Sequence, residues 1–227
     1  MALPLSVSGL RVEGDAGRAI LEADAFDVAA GSAVAIRGPS GAGKSTLLFA
    51  LAGLVPIAKG SVRWGETEIS SLKEDGRAAF RRAHIGMIFQ DFLLFEELSA
   101  EANASLAGAY VRKRRHKIGE GARRALERLG LKGDDARTVA TFSGGERQRV
   151  AVARALATEP SIILADEPTA SLDRAAADAL VDDLIQLTRE SGRTLIVASH
   201  DLKVHEAVDC IIDVADGRLI GEVRRNA

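Results

Sequence analysis

The sequence predicts an α/β fold with a mostly parallel central sheet, and three observations lead there. Short apolar runs such as Ala33–Ile36, Ser161–Ala165 and Leu195–Ala198 alternate with longer helix-compatible stretches. Those runs are apolar at almost every position rather than at every second one, as strands covered on both faces are. A glycine-rich stretch, Gly38–Thr46 (GPSGAGKST), lies between one such run and a second apolar segment, Leu47–Leu54. With 227 residues and 47 % apolar composition, the chain can fill such a core.

Taken in order, Leu3, Leu5 and Val7 alternate as a half-buried strand does. Ala19–Leu21 and Ala25–Val28 read as two further short strands, and Ser61–Trp64 with Glu68–Ile69 as a hairpin about Gly65. Together they predict a small antiparallel sheet beside the glycine-rich stretch, with Gly14–Gly17 as its exposed tip. Lys73–Ala83 is helix-compatible, Ile85–Phe89 is a buried strand, and Glu97–Ala109 and Ile118–Leu129 are amphipathic helices. The basic run Arg112–Lys117 between them reads as a solvated face, with anionic head groups as the alternative contact. Glu146–Thr158 and Ala175–Ser191 are helical, the latter with apolar Leu180, Leu184 and Leu187. Ile211–Val214 and Leu219–Val223 flank Asp216-Gly217 as a hairpin. The expectation is one domain over 1–227, with 1–89 and 159–227 forming the core and 90–158 an inserted helical subdomain.

Thirty basic and 32 acidic side chains leave a net charge of −2, so no nucleic-acid partner is indicated. Cys210 is the only cysteine; no internal disulfide is possible, and its apolar surroundings predict a buried, inert thiol. No secretory signal is visible in MALPLSVSGL, and the longest apolar stretch, Leu47–Ala58, is too short to cross a bilayer. A soluble chain is expected, reaching a membrane only through a partner.

The chemistry starts at Gly38–Thr46, which fits G-x-x-x-x-G-K-[ST] after a strand and before a helix, the phosphate-binding loop. Gly38, Gly41 and Gly43 let the backbone curl around phosphate oxygens, with Pro39, Ser40 and Ala42 completing the loop. The following helix adds its positive end. Lys44 supplies a point charge for terminal phosphates, and Ser45, beside Thr46, suits a Mg²⁺ ligand. A second element is Ile162–Glu167: an apolar strand delivering two adjacent carboxylates at the edge where open α/β sheets bind ligands. Asp166 can hold Mg²⁺, and Glu167 can polarise an attacking water. Without the loop this pair would read as a solvated strand end. A third element is Phe142-Ser143-Gly144-Gly145-Glu146 before RQRVAVARAL. Ser143-x-x-Glu146 is a capping box, and the same helix N-terminus can bind an anion.

SGGE before RQRVAVARAL, followed by LADEPTASLD, resembles the ATP-binding cassette ATPases, the nucleotide-binding subunits of ABC transporters, over essentially the whole chain. The resemblance implies a P-loop NTPase-type sheet, ATP and Mg²⁺ as ligands, and ATP hydrolysis. It implies that Ser143, Gly144, Gly145 and Glu146 form the signature that clamps the γ-phosphate of an ATP on the opposite subunit. It makes Gln90 the loop glutamine that senses Mg²⁺ and the membrane partner. Asp173 joins the two active sites, and His200 holds the γ-phosphate and the attacking water. Two copies are then expected to pack head to tail, driving a membrane permease from the cytoplasmic face of the cell membrane. His84, His116 and His205 match no family motif and are expected at the surface. HIGMIFQDFLLFEELSAEAN resembles the lipoprotein-releasing, macrolide-export and cell-division cassettes, and makes Phe92–Phe95 a candidate permease contact.

The chain departs from the family in LRVEGDAGRAIL, which lacks the aromatic residue that usually stacks on adenine. Val12 or a neighbour is expected to supply apolar packing instead, at weaker affinity. Against a cassette of DNA repair or translation stands the absence of a coiled-coil insertion or second cassette. Against a GTPase stands the absence of an Asn-Lys-x-Asp motif. A low-turnover regulatory or assembly subunit is the remaining alternative.

Overall fold

The computed structural model describes residues 2–111, 114–131 and 137–224. Ten strands form one sheet: β1 Leu5–Glu13, β2 Ala19–Val28, β3 Ala33–Arg37, β4 Lys59–Trp64, β5 Thr67–Glu68, β6 Ile85–Ile88, β7 Ile162–Asp166, β8 Thr194–Ala198, β9 Cys210–Ala215 and β10 Arg218–Arg224. Their spatial order is β5-β4-β1-β2-β10-β9-β3-β8-β7-β6. Strands β9, β3, β8, β7 and β6 run parallel, while β1, β2, β4 and β5 are antiparallel neighbours. The antiparallel part is continuous with the parallel part, because β10 pairs with β2 at Arg218 and Glu22.

Alternation along the central strands explains the two-sided burial. Ala33, Ala35, Ile163, Ala165, Leu195 and Val197 face one core; Val34, Ile36, Ile162, Leu164, Ile196 and Ala198 face the other. Helix α1 (Lys44–Leu51) packs in the second core with the antiparallel strands. Trp64, fully buried there, donates its indole N–H to the Leu51 carbonyl at 2.9 Å, satisfying a group at the end of α1. Helix α2 (Glu74–His84) leads into β6. The first core is covered by α3 (Ala100–Ala104), α4 (Arg115–Arg128), α5 (Gly144–Leu156) and α6 (Arg174–Ser191); α7 (Leu202–Ala207) follows β8.

Several expectations are corrected. Ala19–Val28 is one strand, because β1 pairs with it along nearly its whole length and Glu22 is neutralised by Arg11 at 2.8 Å. Glu97–Ala109 is not one helix: Ser99 caps α3 by accepting from the Ala102 N–H, and Ser105 ends it before a 3₁₀ turn at Leu106–Ala109. Cys210 is only half-buried. His205 is not at the surface but buried. Of Arg112–Lys117, the first two residues lie outside the described residues; Arg114–Lys117 are exposed, as a solvated face is. No helix among the described residues is long and apolar enough to cross a membrane.

Candidate functional site

The carboxyl ends of β3, β6, β7 and β8 lie along one sheet edge and carry the loop after Arg37, Gln90, Glu167 and His200. They enclose a cleft of about 580 Å³ lined by Gly38, Pro39, Ser40, Gly41, Gly43, Lys44, Ser45, Thr46, Gln90, Glu167 and His200. Gly38 must be glycine, since a Cβ there would lie 2.0 Å from the Val214 carbonyl oxygen. Gly43, at φ 103°, turns the loop into α1 and offers no side chain to cap it. Ala42 faces the interior and accepts a hydrogen bond from the Gly217 N–H at 3.0 Å, tying the loop to the β9–β10 turn.

Lys44 is buried, and its ammonium donates to the carbonyls of Gly38 and Pro39 at 3.0 and 3.1 Å. It also stands 3.7 Å from Glu167. Glu167 adopts φ 44°, an uncommon conformation for a non-glycine residue, anchored by its N–H donating to the Ala198 carbonyl at 2.8 Å. Its other carboxylate oxygen lies 2.9 Å from His200 Nδ1. The Glu167 side chain is 11 % exposed and the His200 ring 73 %, so the acid is fixed and the ring stands in the cleft mouth.

Ser45 donates its hydroxyl to Asp166 at 2.9 Å. Burial pushes the Asp166 carboxyl up from its ordinary range; the Ser45 hydrogen bond and the Lys44 charge oppose this, and the charges of Glu167 and Asp91 add to it. A buried carboxylate beside a hydroxyl and two like charges is a donor set suited to a hard divalent cation, so these residues fit Mg²⁺. Ser45, bonded to Asp166, and Gln90 both line the cleft.

Ser143, Gly144, Gly145, Glu146 and Asp173 are brought together, but not in this cleft. A Cβ on Gly144 would meet the Ser171 carbonyl at 3.3 Å, and one on Gly145 the Leu172 side chain at 3.7 Å. The capping box is formed: Ser143 Oγ accepts from the Glu146 N–H, and Glu146 accepts from the Ser143 N–H at 2.8 Å. Those bonds hold the Glu146 carboxyl below its usual range. Asp173 caps α6 by accepting from the Ala176 N–H at 2.9 Å.

Three structural features were not visible in the sequence. A groove of about 280 Å³ lies between α2, β6, α4 and α5, floored by Ile85, Met87 and Ile118 and rimmed by Arg81, Arg82, Arg114 and Arg154. None of Phe92–Phe95 lines it; instead they form an adjacent patch with Leu93 and Phe95 exposed. Arg154 joins the two, donating to the carbonyls of Phe92 and Leu93, both left-handed. An arginine inside VAVARAL was the one signal available. Asn103, fully buried, holds Phe95 by its backbone N–H and C=O. Val12 is buried in the core and cannot meet a base; Ile20, 43 % exposed where β2 passes Gly43, is the apolar side chain available there.

A family model described as "ABC transporter" matches residues 21–170, covering loop, signature and paired acids. The chain belongs to the ABC transporter ATP-binding family. The cassette is 41 % identical over 192 residues to the lipoprotein-releasing system ATP-binding protein LolD of Zymomonas mobilis, covering 85 % of this chain and 83 % of that one. It is 39 % identical over 218 residues to the macrolide export ATP-binding/permease protein MacB of Sodalis glossinidius, covering 96 % of this chain and 33 % of the relative. The uncharacterized ABC transporter ATP-binding protein YbbA of Escherichia coli is 38 % identical, with 91 % of both chains covered. A dimeric, post-hydrolysis structure of the ATP-binding cassette MJ0796 with ADP and Pi superposes with a TM-score of 0.87 at 31 % identity, covering 98 % of this chain and 99 % of that one. Family membership implies ATP binding, normally with Mg²⁺, and ATP hydrolysis.

Proposed function

We propose that the cassette hydrolyses ATP between two copies of itself, packed head to tail, and so powers a separate integral membrane permease. The observation that carries this is the division of the site. Gly38–Thr46, Gln90, Asp166, Glu167 and His200 converge on one edge, while Ser143–Glu146, a helix N-terminus suited to an anion, do not line that cleft. A second copy supplies the missing half. The dimeric state of MJ0796 supports the arrangement.

In this reading the loop and Lys44 fix the phosphates, and Ser45, Asp166 and Gln90 would hold Mg²⁺, which would supply charge neutralisation at the phosphates. Glu167 orients and deprotonates the attacking water, and His200 holds Glu167 and the γ-phosphate in register. Ser143, Gly144, Gly145 and Glu146 close over the neighbour's ATP, and Asp173 relays between the two sites. Little covalent chemistry is needed, so positioning carries the rate. Loss of the bridging charge on hydrolysis loosens the pair.

We infer a division into a core (1–89 and 159–227) and a helical subdomain (90–158), with the arginine-rimmed groove at their junction. We assign that groove, with the Phe92–Phe95 patch beside it, to the permease. The cassette then works at the inner face of the cell membrane through that partner. The names of LolD and MacB support an export-type role.

The deciding experiment is Glu167→Gln. Phosphate release should fall by about two orders of magnitude or more, as for loss of a general base. The variant should sediment as a stable pair with ATP and Mg²⁺ and as a monomer with ADP. A variant that keeps hydrolysing, or stays monomeric with ATP, refutes the reading.

A further inference from the structure

His200 must stand at a fixed place relative to Glu167, yet its ring is mostly exposed and its own side chain makes a single described contact, with Glu167. What fixes its position is the backbone of residues 198–201. The Ala198 carbonyl accepts from the Glu167 N–H at 2.8 Å, and the Ser199 N–H donates to the Ile36 carbonyl at 3.2 Å. Ser199 Oγ accepts from the Asp201 N–H at 3.1 Å. The His200 N–H itself reaches Glu167 Oε2 at 3.4 Å, and the other end of that peptide unit is the Ser199 carbonyl. It belongs to a fully buried residue, and its partner is a side chain: His205 Nε2, at 2.9 Å. A carbonyl only accepts, so Nε2 carries the proton and the imidazole is the donor.

We propose that His205 is a positioning residue for His200. Its ring, buried on α7, reaches back six residues and sets the orientation of the Ser199–His200 peptide. Its role rests on the proposed action of His200 at the γ-phosphate, and is tested so that the two can fail separately.

The test is a cycle of His205→Phe, His205→Gln, His200→Ala and His200→Ala/His205→Phe in the full chain, read by ATP hydrolysis and by hydrogen exchange at the amides of 199–201. Phenylalanine fills the space without a donor; glutamine keeps a donor at similar reach. His205→Phe should lower kcat by about tenfold to a hundredfold with KM for ATP little changed, as a misplaced group does. It should also speed exchange at His200 and Asp201 while β8 amides stay protected. His205→Gln should restore both readouts. In the His200→Ala background, His205→Phe should cost nothing further. Wild-type kcat and exchange in His205→Phe beside an inactive His200→Ala overturn the role of His205 alone. So does an undiminished loss in the His200→Ala background, or no rescue by glutamine. Wild-type turnover in His200→Ala overturns the reading of the site itself.

Discussion

Asn103 offers the sharpest quantitative test. It is fully buried, and its amide clamps the segment that ends in the exposed Phe95. Oδ1 accepts from the Phe95 N–H at 2.8 Å, and Nδ2 donates to the carbonyls of Phe95 at 2.9 Å and Ser99 at 3.2 Å, with Leu98 marginal at 3.4 Å. Two N–H groups serve those acceptors, so three good hydrogen bonds are at stake, each contributing about 1 kcal/mol. Asn103→Ala removes them; Phe95 is near enough to the surface for its backbone to regain some water. The net cost is therefore about 2–3 kcal/mol. With a urea slope of about 3 kcal/mol/M, the unfolding midpoint should fall by about 0.7–1 M. Asn103→Asp is the control. It can still accept from Phe95 but turns a carboxylate toward carbonyls, so its loss at pH 7 should be at least as large and should shrink as acid protonates the group. Basal hydrolysis should change little, while stimulation by the permease should be lost. A midpoint for Asn103→Ala within about 0.2 M of wild type would refute the clamp.

Three further outcomes follow from other sites. Gly86→Ala puts a Cβ 2.3 Å from the Ala155 carbonyl and 2.9 Å from Pro160, so β6 and α5 must separate; overpacking of about 1–3 kcal/mol should lower Tm by roughly 3–10 °C in a calorimetric scan. Asp166 has a folded pKa above its unfolded value, so its contribution is present below the unfolded pKa and lost as pH rises through the folded one; at pH 7 the ionised form is a liability. Asp166→Asn should therefore raise the Tm of the nucleotide-free chain at pH 7, with a gain that vanishes in acid, while abolishing the extra stabilisation by ATP with Mg²⁺. Ile20→Tyr should tighten ATP binding by the ~1–3 kcal/mol typical of base stacking, measured by titration calorimetry, whereas Val12→Tyr should destabilise the fold because Val12 faces the core.

Much of the site was legible because its motifs are contiguous and local. Gly38–Thr46 and Ile162–Glu167 each carry their own strand-to-loop context, and Ser143-x-x-Glu146 writes its capping box within four residues. The illegible parts depend on distant partners. His205 looks like any polar helix residue until α7 folds it onto Ser199. Asn103 is ordinary in AEANASLA; only the return of Phe95 and Leu98 above it makes it a clamp. Strand β2 looked broken because Glu22 and Asp24 are charged, but Glu22 is paired by Arg11 and Asp24 points to solvent. The antiparallel and parallel strands merge through one pairing of residues nearly 200 apart in sequence, which no local pattern encodes.

The tight seat of α5 against β6 has a mechanical corollary. Where Gly86 meets Ala155 there is no room for even a methyl group, and Gly121 of α4 is pressed as closely on Ala157. Both contacts lie at the trailing end of the helix whose leading end is Ser143. Thirteen helical residues make a rod about 20 Å long, so pivoting it by about 5° at the pinned end swings Ser143 through about 1.7 Å. That travel is enough to make or miss a hydrogen bond. The strand holding the fulcrum is the one that runs on to Gln90 in the cleft, so a small displacement at that strand would be magnified at Ser143.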